Sequence, residues 1–311
     1  HLLSRRQRQM CIRDRNKHAY MIMAHHRPDL LQLLINSLDD ERNDIIVHID
    51  KKSNMKPEQF ETQYAKIFFI NQMSVNWAGY TQIQCEYELM KHAAAIGHHA
   101  YYHFLTGANY PLWNQNYIYD FFEKNKGYEF IGFDNAIDYS IRVKYYIPFS
   151  EHGKLRGVSG HLIEGVREFA KLVQKVLHVN RIKNQNLIIK KGCAYFSITE
   201  GMLLEILKQE KKVKDMYMHT ICCDEVFVQT IAYNSEFRNK IYNFENEYDG
   251  CLRELAWPSN VSGIHPGWNF SQKDLEYLLN SKRLFAMKFE ASDSIDAVSY
   301  THLRAHETRG N

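Results

Sequence analysis

The sequence predicts an α/β fold with a doubly wound, mixed but mostly parallel sheet flanked by helices. Two observations support this prediction. Short apolar runs alternate with amphipathic helical patterns through the first half of the chain, as is typical of β-α-β units. The length of 311 residues suffices for one large domain with a sizeable core. A membrane-spanning helix is not expected, because no apolar run approaches the roughly 18 residues that it needs.

The first half shows a regular order of strands and helices. A buried strand is predicted at 19–24, and a helix begins at Pro28, since proline suits the first helical turn. The later elements are strands at 45–49, 67–70, 101–105 and 128–131, and a helix at 81–96. His25, Asp50 and Gly107 each follow a predicted strand. Because ligands bind at the carboxyl ends of strands in open parallel sheets, we expect these residues near the site.

The second half is less regular. An apolar stripe at helical spacing predicts an amphipathic helix that packs on the core, with Leu162, Val166, Phe169, Val173 and Val176 on one face. A strand at 195–198 precedes a helix around Met202–Leu207. A short helix is predicted at 224–232, with Asp224 as its N-cap, and a last strand at 284–289.

The two ends of the chain do not resemble the rest. A back-translation of residues 10–15 resembles a transposon end used in preparing sequencing libraries, and a back-translation of residues 298–308 resembles the complementary end. We therefore interpret 1–16 and 297–311 as adapter-derived tails and 17–296 as a single domain. Without the tails the net charge falls from +3 to −2. The basic start is then no indication of a nucleic-acid partner.

Five cysteines remain in the domain, with no CxxC pair, which favours a reduced, cytoplasmic protein. Several chemistries lack their motifs. There is no HExxH for zinc, no GxxxxGK[ST] for a P-loop and no G-x-S-x-G for a hydrolase. The chain also lacks Asp-x-Asp, the motif with which many nucleotide-sugar enzymes hold a metal. Basic side chains would then have to stabilise a diphosphate, and Lys288 in the stretch 282–289 is a candidate.

Asp224 and Glu225 are the candidate carboxylates. One of them is expected to cap the helix, and the other to face a cleft where it accepts a proton from an attacking hydroxyl. Neighbouring residues point in different directions, so both roles are compatible with the pair.

Seven segments in order resemble the core-2/I-branching and peptide O-xylosyltransferase family over about residues 19 to 290. Val47-His48-Ile49-Asp50-Lys51-Lys52-Ser53 resembles its VHxDxKS element, and Asp224-Glu225-Val226-Phe227-Val228-Gln229-Thr230 resembles DExFxQT. The other five segments are Ala19–His26, Val75–Tyr80, Phe104–Leu112, Lys191–Thr199 and Phe285–Glu290.

The resemblance implies a GT-A-like fold and an inverting, metal-independent glycosyltransferase. The enzyme would transfer N-acetylglucosamine or xylose from a UDP-sugar to a hydroxyl of a glycan or lipid-linked glycan. No cofactor or metal site is then expected. Residue by residue, it implies Glu225 as the base and Lys288 at the diphosphate, with His25 and Asp50 holding the uridine. The implied substrate-binding residues are Trp77, Gly79, Gly107, Asn109, Arg142, Lys144, Asp224 and Trp257.

The sequence departs from the family pattern at three positions, where Asn109, Cys193 and Met287 replace Asp, Ser and Arg. The second diphosphate ligand has no clear counterpart, and His265 and Arg283 are the candidates. Peripheral contact with the inner face of a membrane is also expected. Two alternatives stay open: a non-catalytic nucleotide-sugar-binding protein on the same fold, and an NAD-dependent oxidoreductase, although no GxGxxG follows the first strand.

Overall fold

A computed structural model describes residues 17–152, 157–183, 185–255 and 269–290. Its strands, in chain order, are β1 (His18–Ala24), β2 (Asn43–Ile49), β3 (Lys66–Phe69), β4 (Tyr101–Thr106), β5 (Asn109–Pro111), β6 (Phe130–Ile131), β7 (Phe196–Ile198), β8 (Arg253–Leu255) and β9 (Phe285–Met287).

Ten α-helices surround these strands in the described part of the chain. They are α1 (Pro28–Ser37), α2 (Tyr80–Ile96), α3 (Gln115–Lys124), α4 (Ser140–Lys144), α5 (Gly157–Val176), α6 (Glu200–Lys208), α7 (Glu210–Tyr217), α8 (Phe227–Tyr233), α9 (Glu247–Cys251) and α10 (Leu275–Asn280). Short 3-10 turns lie at Pro57–Gln59, Glu236–Lys240 and Gln272–Asp274. No described helix is long and apolar enough to cross a membrane.

The central sheet has six strands in the order β3-β2-β1-β4-β7-β6. β1 to β4 run parallel, whereas β7 is antiparallel to both β4 and β6. The register pairs Ala24 with Ile49 and Met23 with Thr106, so three strands end at one edge. The predicted mixed, mostly parallel sheet is confirmed, and the strand-end residues lie at the same edge of it.

Two apolar layers cover the sheet because successive side chains of a strand point to opposite faces. Along β1, Ala19 and Met21 pack with α2, α6 and α8, whereas Tyr20 and Ile22 pack with α1 and α3. All four side chains are fully buried. The continuous apolar runs noted in the sequence are therefore strands that are buried on both sides.

A second, three-stranded sheet brings the end of the chain back to the central one. Its order is β5-β9-β8, with β9 antiparallel to β5 and parallel to β8. The amide of Phe289 donates to the carbonyl of Ala108 at 3.0 Å. Lys288, just beyond β9, consequently lies next to the loop that follows β4.

The predicted N-cap at Asp224 is wrong. α8 begins at Phe227 with Val226 in the cap position, and the pair Asp224–Glu225 belongs to the preceding turn. Asp224 Oδ2 accepts a hydrogen bond from Gln82 Nε2 at 3.2 Å instead. A tertiary contact with α2, which the local sequence does not reveal, has displaced the capping interaction.

The expected packing role of the apolar stripe of α5 is also wrong. The helix forms where it is predicted, but Leu162, Phe169 and Val176 are 71, 67 and 69% exposed. The two terminal segments interpreted as adapter-derived lie outside the described residues.

Candidate active site

The carboxyl edge of the central sheet carries the first group of predicted residues. His25 directly follows β1 and is exposed. Asp50 follows β2, and its carboxylate accepts from the amides of Lys52 at 2.7 Å and Val75 at 3.1 Å. A Cβ on Gly107 would lie 3.3 Å from the Cβ of Ala24, so glycine lets the loop after β4 approach β1 closely. Asp50 thus orders the loop that borders this edge.

A cluster of charged groups lies at the same edge. Lys288 Nζ forms an ion pair with Glu290, and His26 Nε2 lies 3.5 Å from the other oxygen of that carboxylate. The rings of His25 and His26 are 4.0 Å apart. Partial burial lowers the pKa of His25, with a further contribution from the neighbouring charge of His26. Neutral imidazole and an ammonium group therefore stand side by side here.

His25, His26 and Glu290 are also a geometric candidate for a metal site. Their ligand atoms lie within 4.8 Å of one another. Imidazole nitrogen and carboxylate oxygen suit zinc and similar divalent ions. The ammonium of Lys288 already neutralises Glu290, and its charge opposes a second cation at the same carboxylate. The expectation that no metal is needed stays a prediction.

The turn containing Trp77 is tied to the carboxylate pair. Trp77 is 67% exposed at the start of this turn, and Ala78 takes the left-handed conformation with φ of 64°. The carbonyl of Ala78 accepts from the amide of Cys222 at 2.9 Å. A Cβ on Gly79 would lie 2.4 Å from Glu151 Oε2 and 3.2 Å from the Cα of Glu151, so a larger residue would displace the Glu151 side chain. The turn that carries the exposed indole of Trp77 is therefore hydrogen-bonded to the segment just before Asp224 and Glu225.

Glu225 lies between two cations. Its Oε2 is 2.8 Å from Arg142 Nη1 and 3.7 Å from Lys191 Nζ, and its side chain is 31% exposed. Lys191 Nζ is also 3.6 Å from Asp134 Oδ2. The carboxylate of Glu225 is therefore held in place and still open to solvent.

A close approach of two backbone segments creates this arrangement. A Cβ on Gly192 would lie only 1.9 Å from the carbonyl oxygen of Gly132, so no larger residue fits. The amide of Asp134 donates to the carbonyl of Lys191 at 2.8 Å, and the amide of Gly192 donates to the carbonyl of Glu225 at 2.9 Å. These bonds place the ammonium of Lys191 beside both carboxylates.

The carboxyl of Asp224 has a strongly perturbed pKa. Burial raises the pKa of its carboxyl from 3.8 to about 7, and the charge of Glu225 adds to the shift. Burial likewise raises the pKa of Glu247 to about 6, although Lys191 opposes that shift. Groups with a pKa near neutrality are suited to proton transfer, and perturbed carboxyls mark functional sites.

Tyr195 packs beside β4. Its ring stacks on that of Phe104 with the ring centroids 6.1 Å apart, and burial raises the pKa of its phenol. Tyr195 also packs with Met287 around Cys193 and Cys251. Nearby, Asn109 is fully buried, and its Oδ1 accepts from the amide and the hydroxyl of Thr106, both at 2.7 Å. Asn109 therefore orders the loop beside Lys288.

Some predicted residues are not joined to these clusters. Arg283 Nη1 lies 2.7 Å from Glu254, and its Nε lies 2.9 Å from Asp249, so its charge is already offset. Arg283 precedes β9 and Lys288 follows it, so the two side chains lie beyond opposite ends of the strand. The amine of Lys144 contacts the ring of Tyr145 at 5.5 Å. His265 and Trp257 lie outside the described residues.

The sequence alone assigned no role to Lys191, Tyr195 or Glu290. Lys191 and Tyr195 belong to a segment quoted for the family resemblance, and Glu290 ends another. What puts them in the site is the pairing of segments distant in the chain: Lys191 with Asp134, and β9 with β5. The Gly192 next to Lys191 was the one local signal that this backbone passes close to another.

The candidate functional groups of this α/β fold are thus a carboxylate pair in the turn before α8 and a charged cluster at the strand-end edge of the sheet. The family model of Core-2/I-Branching enzyme matches residues 18–278. The chain therefore belongs to this family and is a glycosyltransferase, which replaces the oxidoreductase alternative. No curated protein matches it. Mouse xyloside xylosyltransferase 1 in its apo form is structurally similar at 10% identity, covering 87% of this chain and 97% of that one, with a TM-score of 0.36. That similarity is weak, and the assignment rests on the family model.

Proposed function

We propose that the protein is an inverting, metal-independent glycosyltransferase that moves N-acetylglucosamine or xylose from a UDP-sugar to a hydroxyl of a glycan. The observation that carries this proposal is the half-exposed carboxylate of Glu225, held by Arg142 and Lys191. Lys288 belongs to a different cluster at the strand-end edge, with Glu290, His26 and His25. One end is suited to accept a proton, and the other to bind an anionic leaving group.

The proposed reaction is a single displacement. The acceptor oxygen attacks the anomeric carbon while its proton moves to Glu225 Oε. The bond from the anomeric carbon to the diphosphate oxygen breaks, and UDP leaves with the electron pair. Lys288 offsets the negative charge that develops on that oxygen. Attack opposite to the leaving group inverts the anomeric configuration.

Arg142 and Lys191 have a supporting role in this scheme. Arg142 Nη1 and Lys191 Nζ both lie within 4 Å of Glu225 Oε2 and hold the carboxylate in position. Asp224, with its pKa near 7, carries a proton for part of the time and so limits repulsion in the pair. Trp77 offers an exposed ring on which a sugar can stack.

The proposal is tested by incubating the full chain with a panel of UDP-sugars and following UDP release with and without glycan acceptors. We expect release with UDP-N-acetylglucosamine or UDP-xylose, and faster release with a suitable acceptor. Binding of UDP-sugars without any release or transfer would favour the non-catalytic alternative. For the acceptor we include lipid-linked glycans, in line with a location at the cytoplasmic face of a membrane.

A further inference from the structure

Helix α5 presents its apolar stripe outward. Leu162, Phe169 and Val176 repeat at two-turn spacing and are 71, 67 and 69% exposed. Val166 and Val173 flank them on the same side and are partly exposed. From Leu162 to Val176 the stripe is about 21 Å long. An apolar surface of this length is unusual for a solvated helix and indicates an interaction site.

The opposite side of the helix attaches to the protein through polar groups. Arg167 is 4% exposed, and its Nη2 donates to the carbonyl of Phe149 at 2.8 Å and also to that of His152. Seven residues on, Gln174 exchanges hydrogen bonds with the backbone of Tyr146, both at 2.8 Å. Bonds at two consecutive heptad positions fix the rotation of the helix about its axis. The apolar stripe is therefore held outward by specific contacts.

The surroundings of the stripe are basic. Between residues 142 and 191 the sequence has eleven Lys and Arg against three Asp and Glu. Arg142, Arg167 and Lys191 bond groups within the fold, which leaves eight basic residues. The whole of 17–296, in contrast, carries a net charge of −2. Lys175 and Lys183 are exposed on and just after the helix, and Lys171 is half-buried.

We propose that α5 docks the enzyme onto an anionic lipid surface, with the helix in the plane of the headgroups and its stripe in the acyl boundary. An outward apolar face on a helix within a basic segment is the pattern of interfacial helices. Anionic lipids attract such a basic segment. Two copies facing each other through the same segment would instead bring like charges together, which disfavours a dimer through this face.

The position of the helix suits a lipid-linked acceptor, a point that rests on the proposed function. Arg142 in α4 contacts Glu225, and residues 145–152 lead from α4 to the bonds that hold Arg167 and Gln174. The carboxylate end of the site and the docking helix are therefore connected through one short segment. Docking would keep that end close to the bilayer surface.

The test is flotation of the full chain with vesicles of phosphatidylcholine mixed with phosphatidylglycerol, and with vesicles of phosphatidylcholine alone. We expect binding to the anionic vesicles, weakened by salt, and little to the neutral ones. The double variant Leu162→Ser, Phe169→Ser should bind these vesicles at least about tenfold more weakly than wild type, because apolar burial drives insertion. The matched control is Leu204→Ser, since Leu204 on α6 is 52% exposed and lies outside the stripe.

Circular dichroism and thermal melting check that every variant is folded, as expected for exposed positions. Equal vesicle binding by the double variant and wild type would overturn the proposal, as would no binding by wild type. Light scattering adds a further outcome: a wild-type dimer that the double variant dissociates, without vesicle binding, would assign the stripe to a second copy. Transfer to a soluble acceptor should be unchanged by the double variant. Vesicle binding without any transfer would contradict the proposed function but would still support docking of α5 on lipid.

Discussion

The sharpest prediction concerns the neighbouring carboxyls Glu225 and Asp224. Glu225→Gln keeps the shape of the side chain and leaves an oxygen that accepts from Arg142, so folding should be preserved. The amide cannot take the acceptor's proton. General-base contributions amount to about 10²–10⁴-fold, so transfer should fall by that factor. UDP affinity should stay near the wild-type value, because Lys288 and His25 lie in a separate cluster.

Asp224→Asn is the matched control for this change. It retains an oxygen that accepts from Gln82, and it should reduce transfer far less than Glu225→Gln does. Because the folded-state pKa of Asp224 is raised to about 7 from 3.8, its carboxyl favours folding only when protonated. Its stabilising effect is complete below pH 3.8 and is lost as pH rises toward 7. Asp224→Asn should therefore raise the melting temperature at alkaline pH, the opposite of what removing a helix cap would do.

The assay is initial-rate transfer from the UDP-sugar identified in the screen, over a range of pH, together with calorimetric UDP binding. If Asp224→Asn abolishes transfer and Glu225→Gln leaves it intact, the two roles are reversed. In that case the wild-type rate should rise through about pH 7, the raised pKa of Asp224. If both variants transfer at the wild-type rate, the turn before α8 does not carry the general base, and the proposed mechanism is wrong.

Three further predictions follow from the charged groups. Lys288→Ala should weaken UDP binding, measured by calorimetry, by about tenfold or more, because it removes a charge-assisted contact to phosphate. An unchanged affinity would mean that Lys288 only forms an ion pair with Glu290 and does not bind UDP. Transfer should persist in EDTA; loss that Mn²⁺ or Zn²⁺ restores would point to His25 and His26 as ligands with Glu290. Glu86 is 1% exposed, neither carboxylate oxygen has a hydrogen-bond partner among the described residues, and burial raises its pKa well above 4.5. Glu86→Gln should leave stability unchanged below pH 4.5 and increase it progressively above, as followed by melting against pH; a difference independent of pH would exclude a neutral Glu86.

Much of the central sheet could be predicted from the sequence. The strands around Tyr20, Ile46 and Phe104 are largely apolar runs, and α1 has helical periodicity with a proline at its start. Such local patterns depend on which side chains lose contact with water, and this is readable from the order of residues. The family resemblance similarly depends on short segments that the sequence displays directly. These features fixed the fold class and brought Glu225 and Lys288 to attention.

The partners of those residues were decided only by tertiary structure. Lys191 reaches Glu225 because Gly192 packs against Gly132, sixty residues earlier in the chain. Asp224 leaves its expected cap position because Gln82, on a different helix, bonds its carboxylate. The stripe of α5 faces outward because Arg167 and Gln174 fasten the other side. Periodicity shows that a helix has two unlike faces, but which face is buried depends on the groups that the rest of the fold presents to it.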